Sequence, residues 1–228
     1  LLVARSFILS GMAEAAIFGG SEACLTPYTL AQLEALRIYS EDQSAWPCRP
    51  CALDAQLLNT VTLGEGAGTA ILVRDDGHVE EGDLELLGIG WSMEAIPSAT
   101  GISNDGSAFE AAMRQALGSL GESYSVDLVI LHAPGSKRGD EAELKAVTSV
   151  LGAVPIASTK HLSGHTYGAS GMISLALAQA VFLGASWDGL PYPNHRPGAA
   201  RPNPKAILIN TAGFGGNAIS IIVGQPSK

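Results

Sequence analysis

The chain has 228 residues, 46% of them hydrophobic and 15% charged, with a formal net charge of −9, which is material for one large domain or two small ones around a buried core rather than for a disordered chain. Only 13 Lys and Arg are present, with no basic helix among them, and this argues against a nucleic-acid surface built on phosphate neutralisation. No apolar run is long enough to span a membrane, and three cysteines, an odd number, fit a reducing, cytoplasmic compartment better than a disulfide framework.

In chain order, apolar periodicity predicts a helix over 3–10, a strand over 15–19 closed by Gly19-Gly20, and a helix over 29–38. The opening residues carry too little positive charge for a signal peptide. The chain begins without an initiator methionine in what reads as mid-helix, as expected of a piece of a longer gene product. An irregular loop with Pro and Cys runs to about residue 60, followed by the strand 68-GTAILV-73. Its lone CxxC, 46-WPCRPC-51, has no second pair and no neighbouring histidine to complete a zinc site, so it reads as loop cysteines rather than a metal or redox centre. The turn 75-DDGHVEEGD-83 separates two halves of the fold. Beyond it the pattern predicts a strand over 84–94, a loop over 95–104 and a helix over 105–120. A strand over 127–132, a helix over 140–151, a strand over 154–158, a helix over 168–184 and a hairpin of 205-KAILIN-210 with 218-AISIIV-223 follow. Strands alternating with helices call for a layered α/β architecture.

The segment 158-STKHLSGHTYGASG-171 holds two of the five histidines directly after a predicted strand. Loops between strand ends and helix starts are where backbone N–H groups stabilise negative charge. The strand 127-DLVILH-132 delivers His132 in the same context, followed by 133-APGSKRG-139. A single histidine of this kind is more often structural. Two of them beside Lys160 point to a shared site.

In these segments the chain resembles the β-ketoacyl-ACP synthases, decarboxylating condensing enzymes of thiolase-like fold. Five segments carry the likeness, in the family's order: 19-GGSEA-23, 64-GEGAG-68, 132-HAPGSKRGDEAELKAV-147, 157-ASTKHLSGHTYGASG-171 and 210-NTAGFGGNAIS-220. The resemblance implies a layered α-β-α-β-α fold, with residues 1–76 the end of an N-terminal half and 77–228 a complete C-terminal half. It implies decarboxylative condensation of an acyl thioester with a malonyl thioester, in fatty-acid or polyketide-type synthesis. No bound cofactor is implied; the substrates ride on the phosphopantetheine of an acyl carrier protein.

By the same resemblance His132 and His165 would donate hydrogen bonds to the reacting thioester oxygen, each worth about 3 kcal/mol of barrier, and Lys160 would tune the field around them. Phe214 would gate the acyl pocket on the mobile glycines of 213-GFGG-216, Gly215 among them, and Ser136 would contact the pantetheine arm. Glu143 and Asp140 would support the histidine and lysine loops, with a solvated helix start the equal alternative for Asp140.

Where the family usually has Gly-Thr-x-Thr after the first histidine, this chain has Ala133-Pro134-Gly135-Ser136, and where a glutamate commonly pairs with the lysine it has Ser174. Lys160 is therefore expected to pair elsewhere, with Glu143. The family's nucleophilic cysteine would lie before Leu1, and neither Cys24, Cys48 nor Cys51 has the right context to replace it. The expected partners are an acyl carrier protein, the missing N-terminal segment, and a second subunit in a homodimer or a ketosynthase-like heterodimer. Lys137 and Arg138, or Arg196, Arg201 and Lys205, are the candidate docking cations. A non-catalytic chain-length-factor-like subunit is the alternative, and a degradative thiolase a weaker one, since its cysteine is lacking from 210–220.

Overall fold

The computed structural model describes residues 1–53, 59–95, 105–120, 125–194 and 203–226. Helix α1 (Leu2–Leu9), strand β1 (Ala15–Glu22), helix α2 (Pro27–Ala35) and strand β2 (Gly66–Val73) come first. Strand β3 (Glu85–Met93), helix α3 (Ser107–Leu117), strand β4 (Leu128–Ile130), helix α4 (Lys137–Leu151) and strand β5 (Ile156–Ala157) follow. A short helix α5 (Lys160–Ser163), a 3-10 turn (Tyr167–Ala169), helix α6 (Ser170–Phe182) and the hairpin β6 (Ala206–Gly213) and β7 (Asn217–Gly224) complete the chain.

The main sheet has five strands in the order β3-β7-β6-β4-β5, with β4 parallel to both β5 and β6 and the other pairs antiparallel. Strand alternation divides its two faces. Val129, Leu131 and Leu208 pack with Phe109 and Met113 of α3 and Val147 of α4, whereas Leu128, Ile130, Ile207 and Ile209 pack with Ala178 and Val181 of α6. Helix α6 has no single apolar stripe because it is also covered from its other side by the antiparallel β1–β2 ribbon. That approach requires glycine. Gly20 and Gly68 face each other in register; a Cβ on Gly20 would strike the carbonyl of Gly168, and one on Gly68 would lie 2.7 Å from Cβ of Met172.

The other face of the ribbon is apolar and open: Ile17 and Ile71, paired in register, are 77% and 67% exposed. Among the described residues no helix is long and apolar enough to cross a membrane.

The observed elements follow the sequence pattern, with three instructive differences. Strands β4 and β5 are shorter than the predicted 127–132 and 154–158 because the chain leaves the ladder to build the site described below. Helix α4 starts at Lys137 rather than 140, with Ser136 in extended conformation as its N-cap. Lys160, expected in a loop, opens α5. Apart from Ala95, the loop predicted over 95–104 lies outside the described residues, as do Arg196 and Arg201.

Candidate active site

His132 is delivered by β4. The N–H of Leu131 still bonds to the carbonyl of Ala157 across the sheet (2.9 Å), but the next two N–H groups turn away from the ladder. His132 N donates to Glu143 Oε1 (2.9 Å) and Ala133 N to Glu143 Oε2 (2.7 Å). His165 is held by the segment preceding β2: its N–H donates to the carbonyl of Thr62 (2.7 Å) and its own carbonyl accepts from Gly64 N (3.2 Å). The glycine motif at 64–68 thus begins as the backbone clamp of the second histidine. The two imidazoles lie 5.3 Å apart, centroid to centroid, at 84°, and each residue is 8% exposed.

Lys160 is 1% exposed. Its ammonium donates to the carbonyl oxygen of His132, not to a carboxylate: among the described residues the expected contact pairing with Glu143 is not made, and Glu143 reaches the lysine only through its charge. The Glu143 oxygens instead accept the two backbone N–H groups of His132 and Ala133. Burial lowers the Lys160 pKa and the Glu143 charge opposes that shift. Burial and the Lys160 charge together push His132 well below its ordinary value and His165 down to about 3. Both imidazoles are therefore neutral near pH 7, so each carries one N–H and one bare nitrogen.

Glu143 is fully buried, and burial raises its pKa against the hydrogen bonds that favour the anion. A third donor, Asn210 Nδ2, reaches its Oε1 (3.0 Å), and Ser220 Oγ orients that amide by donating to Asn210 Oδ1 (2.7 Å). Asp140 is not at a solvated helix start: it is 5% exposed and accepts from Cys51 N (2.9 Å) and Gly135 N (3.2 Å). Burial pushes its carboxyl up to about 7. The cysteine loop is consequently a strut under the His132 loop. Cys48 and Cys51 are buried, the Cys48 thiol faces the carbonyl of Pro134 (3.7 Å), and Tyr192 ties the loop down through the carbonyl of Pro50 (3.0 Å).

Phe214 sits at the tip of the β6–β7 hairpin, exposed, on a turn whose Gly215 and Gly216 take φ values of +95° and +74°, a conformation that costs glycine least. Its link to the histidines is Tyr167, which sequence reasoning passed over. The Tyr167 ring lies 4.5 Å from that of His165 and 6.2 Å from that of Phe214, on a backbone held at φ +38°. Ser136 is half-buried, while Lys137 and Arg138 project exposed from the first turn of α4. Asn210, Tyr167, Thr166, Ser170 and Ser220 all fall inside the motif segments, but nothing local marks them, because their partners are distant in sequence or decided by side-chain direction.

The buried titrating groups set opposed pH dependences. Between about pH 3 and about pH 6.5 the unfolded chain protonates His165 and the native state does not, so this group's share of stability falls as pH drops, by up to ~1.4 kcal/mol per pH unit. Asp140 acts in the reverse sense: its native carboxyl keeps the proton that the unfolded chain has lost, so its share falls as pH rises from about 4 to about 7. His165→Gln is expected to flatten the acid side of a urea-midpoint profile between about pH 4 and about pH 8, and Asp140→Asn to remove the loss on approaching neutrality. A His165→Gln profile parallel to that of the wild type would contradict the buried neutral imidazole.

The chain matches the family descriptions "Beta-ketoacyl synthase, N-terminal domain" over residues 1–78 and "Beta-ketoacyl synthase, C-terminal domain" over 84–182. It is 33% identical over 212 residues to Nodulation protein E of Rhizobium leguminosarum bv. trifolii, covering 87% of this chain and 47% of that one. It is 34% identical over 184 residues to 3-oxoacyl-[acyl-carrier-protein] synthase 2 of Vibrio cholerae serotype O1, covering 75% and 43%. The chain thus spans about half the length of these curated relatives. Among solved structures, a beta-ketoacyl synthase from Burkholderia phymatum STM815 shares the fold with a TM-score of 0.83 at 24% identity, covering 99% of this chain and 58% of that one. A type II polyketide synthase acyl-carrier protein in complex with its ketosynthase bound to the hexaketide gives a TM-score of 0.82 at 25% identity, covering 99% and 59%.

Proposed function

The chain belongs to the β-ketoacyl synthase family, with its thiolase-like fold, and from that membership we propose that it carries the carbanion-stabilising part of a decarboxylative condensing site. The observation that supports this reading is the pair of neutral, buried imidazoles 5.3 Å apart. A malonyl thioester on a carrier loses CO2 by cleavage of its carboxyl carbon bond, and the electron pair moves onto the thioester oxygen. Hydrogen bonds from His132 and His165 stabilise that oxygen in a water-poor site, each by about 3 kcal/mol. The enolate carbon then attacks an acyl group held on a cysteine, forming the new C–C bond and releasing the thiolate.

Lys160 supplies fixed positive charge and holds the His132 carbonyl. Phe214 and Gly215 form the movable wall of the acyl pocket, Ser136 meets the pantetheine arm, and Glu143 and Asp140 keep the two loops in register. The retention of both imidazoles and the lysine favours this reading over a non-catalytic partner subunit. We assign the cysteine to a part of the protein other than residues 1–228. The Cys24 thiol donates to the carbonyl of Gly64 (3.2 Å), and Cys48 and Cys51 are built into the strut. The exposed Ile17–Ile71 face is covered by that part or by a second subunit, and the protein acts in the cytoplasm.

The test is condensation of acyl- and malonyl-carrier substrates. The complete protein is expected to yield a β-ketoacyl carrier and CO2, and residues 1–228 alone to yield none. Turnover by residues 1–228 that disappears in Cys24→Ser, Cys48→Ser or Cys51→Ser would move the nucleophile into this chain. Carrier proteins rich in acid must approach a chain whose own net charge is −9, and Lys137 and Arg138 offer local positive charge beside the His132 loop. Reversing both to glutamate is expected to weaken carrier binding about tenfold at low salt. Unchanged affinity would place the docking surface elsewhere.

A further inference from the structure

Behind His165 lies a pair of hydroxyls with no direct part in the condensing chemistry. Ser170 Oγ is 3.3 Å from His165 Nδ1, and Thr166 Oγ1 is 3.0 Å from Ser170 Oγ. Thr166 is 1% exposed and Ser170 6%. The methyl of Thr166 lies toward Gly64 and Gly66, within 3.1 and 4.0 Å of where their Cβ atoms would be. Each hydroxyl has one proton and two acceptor lone pairs, so the order of the row follows the ring's tautomer, of which there are two. In one, Thr166 donates to Ser170, Ser170 donates to Nδ1, and the ring proton is on Nε2. In the other, Nδ1–H donates to Ser170, and whether Ser170 donates to Thr166 or Thr166 to Ser170, one hydroxyl proton is left with no further hydrogen-bond acceptor among the described residues. A buried donor left without an acceptor is disfavoured by more than a made bond contributes, and the first order prevails.

We propose that Thr166 and Ser170 are positioning residues that fix His165 as the tautomer bearing its proton on Nε2, so that the ring presents a donor, not an acceptor, to the reacting thioester oxygen. The assignment deepens the proposed function and rests on it for its catalytic meaning. The tautomer itself is independent of turnover. An imidazole with the proton on Nδ1 would turn a bare nitrogen toward developing negative charge and forfeit the hydrogen bond that the site is built to make.

The experiment is nitrogen NMR on histidine-labelled residues 1–228, recorded on sedimented protein so that association state does not matter, with His165 assigned by its loss in His165→Gln. Protonated and bare ring nitrogens differ widely in shift. The wild type is expected to show a protonated Nε2 and a bare Nδ1. Ser170→Ala is expected to lower the ratio of the two tautomers about fivefold, the population equivalent of one hydrogen bond, and Ser170→Thr, which keeps a hydroxyl, to restore it. If the His132 signal also moves in Ser170→Ala, Thr166→Val supplies the same reading, since it removes the first donor of the row and leaves Ser170 in place.

A bare Nε2 in the wild type, or a ratio unchanged in both Ser170→Ala and Thr166→Val, overturns the proposal. A complete protein that fails to condense while the ratio shifts as expected removes the proposed function and leaves the tautomer assignment standing. Condensation with an unshifted ratio does the reverse.

Discussion

His165→Ala is expected to lower the condensation rate of the complete protein about a hundredfold or more, with little change in KM. In the proposed reaction the imidazole meets charge that exists only once CO2 has begun to leave, so the interaction would be stronger in the transition state than with bound substrate and its loss would fall on kcat. The backbone around the ring is anchored by Thr62 and Gly64, so truncation removes the donor without releasing the loop. His161 provides the contrast. It is close in sequence to His165, yet its ring packs against Trp46 at 5.6 Å and Trp187 at 5.9 Å, on the side of the cysteine strut. His161→Ala should cost stability and leave the rate of the folded protein within a few-fold of wild type. Initial rates over a range of malonyl-carrier concentrations separate the two. A His165→Ala enzyme within a few-fold of wild type would remove His165 from the chemistry.

Glu143→Ala is expected to destabilise the fold by about 3 kcal/mol or more, because a single side chain satisfies three buried donors and lies near a buried cation. The N–H groups of His132 and Ala133 and the amide of Asn210 would all lose their acceptor, and the Lys160 ammonium would lose the charge that most offsets its burial. Ser149→Ala, on the exposed face of the same helix, should stay within about 0.5 kcal/mol. Urea unfolding followed by circular dichroism measures both. A Glu143→Ala midpoint close to that of Ser149→Ala would mean that the site's backbone is held by other means.

Much of the candidate site could be named before any coordinates, and the reason lies in particular residues. His132 follows the aliphatic run Val129-Ile130-Leu131 and precedes small residues, as a strand end does, and His165 lies between Gly164 and Gly168 in the connection from β5 to α6. Phe214 precedes Gly215 and Gly216, whose positive φ values the tight turn demands. What each polar side chain touches was less legible. Residue type pairs Lys160 with Glu143, whereas the ammonium bonds to the His132 carbonyl and the carboxylate accepts two backbone N–H groups and Asn210, a distribution that residue type alone does not reveal. Asp140 could be read equally as solvated or buried until Cys51, 89 residues earlier, was seen to cover it.

The sequence by itself determined the alternation of helices and strands, the irregular connection between β2 and β3, the placing of the histidine and phenylalanine candidates at or between element ends, and the net charge of −9. These depend on periodicity, turn chemistry and composition, which are local or additive properties of the chain. The tertiary structure alone decided the strand order β3-β7-β6-β4-β5, in which the last strand of the chain lies second from an edge. It also decided the role of Asn210, whose contact with Glu143 spans 67 residues, and the packing of the cysteine loop against Asp140 and Pro134. Those outcomes are choices among partners brought together only when both faces of the sheet are buried, and a pattern along one segment carries no information about which distant donor will find its acceptor.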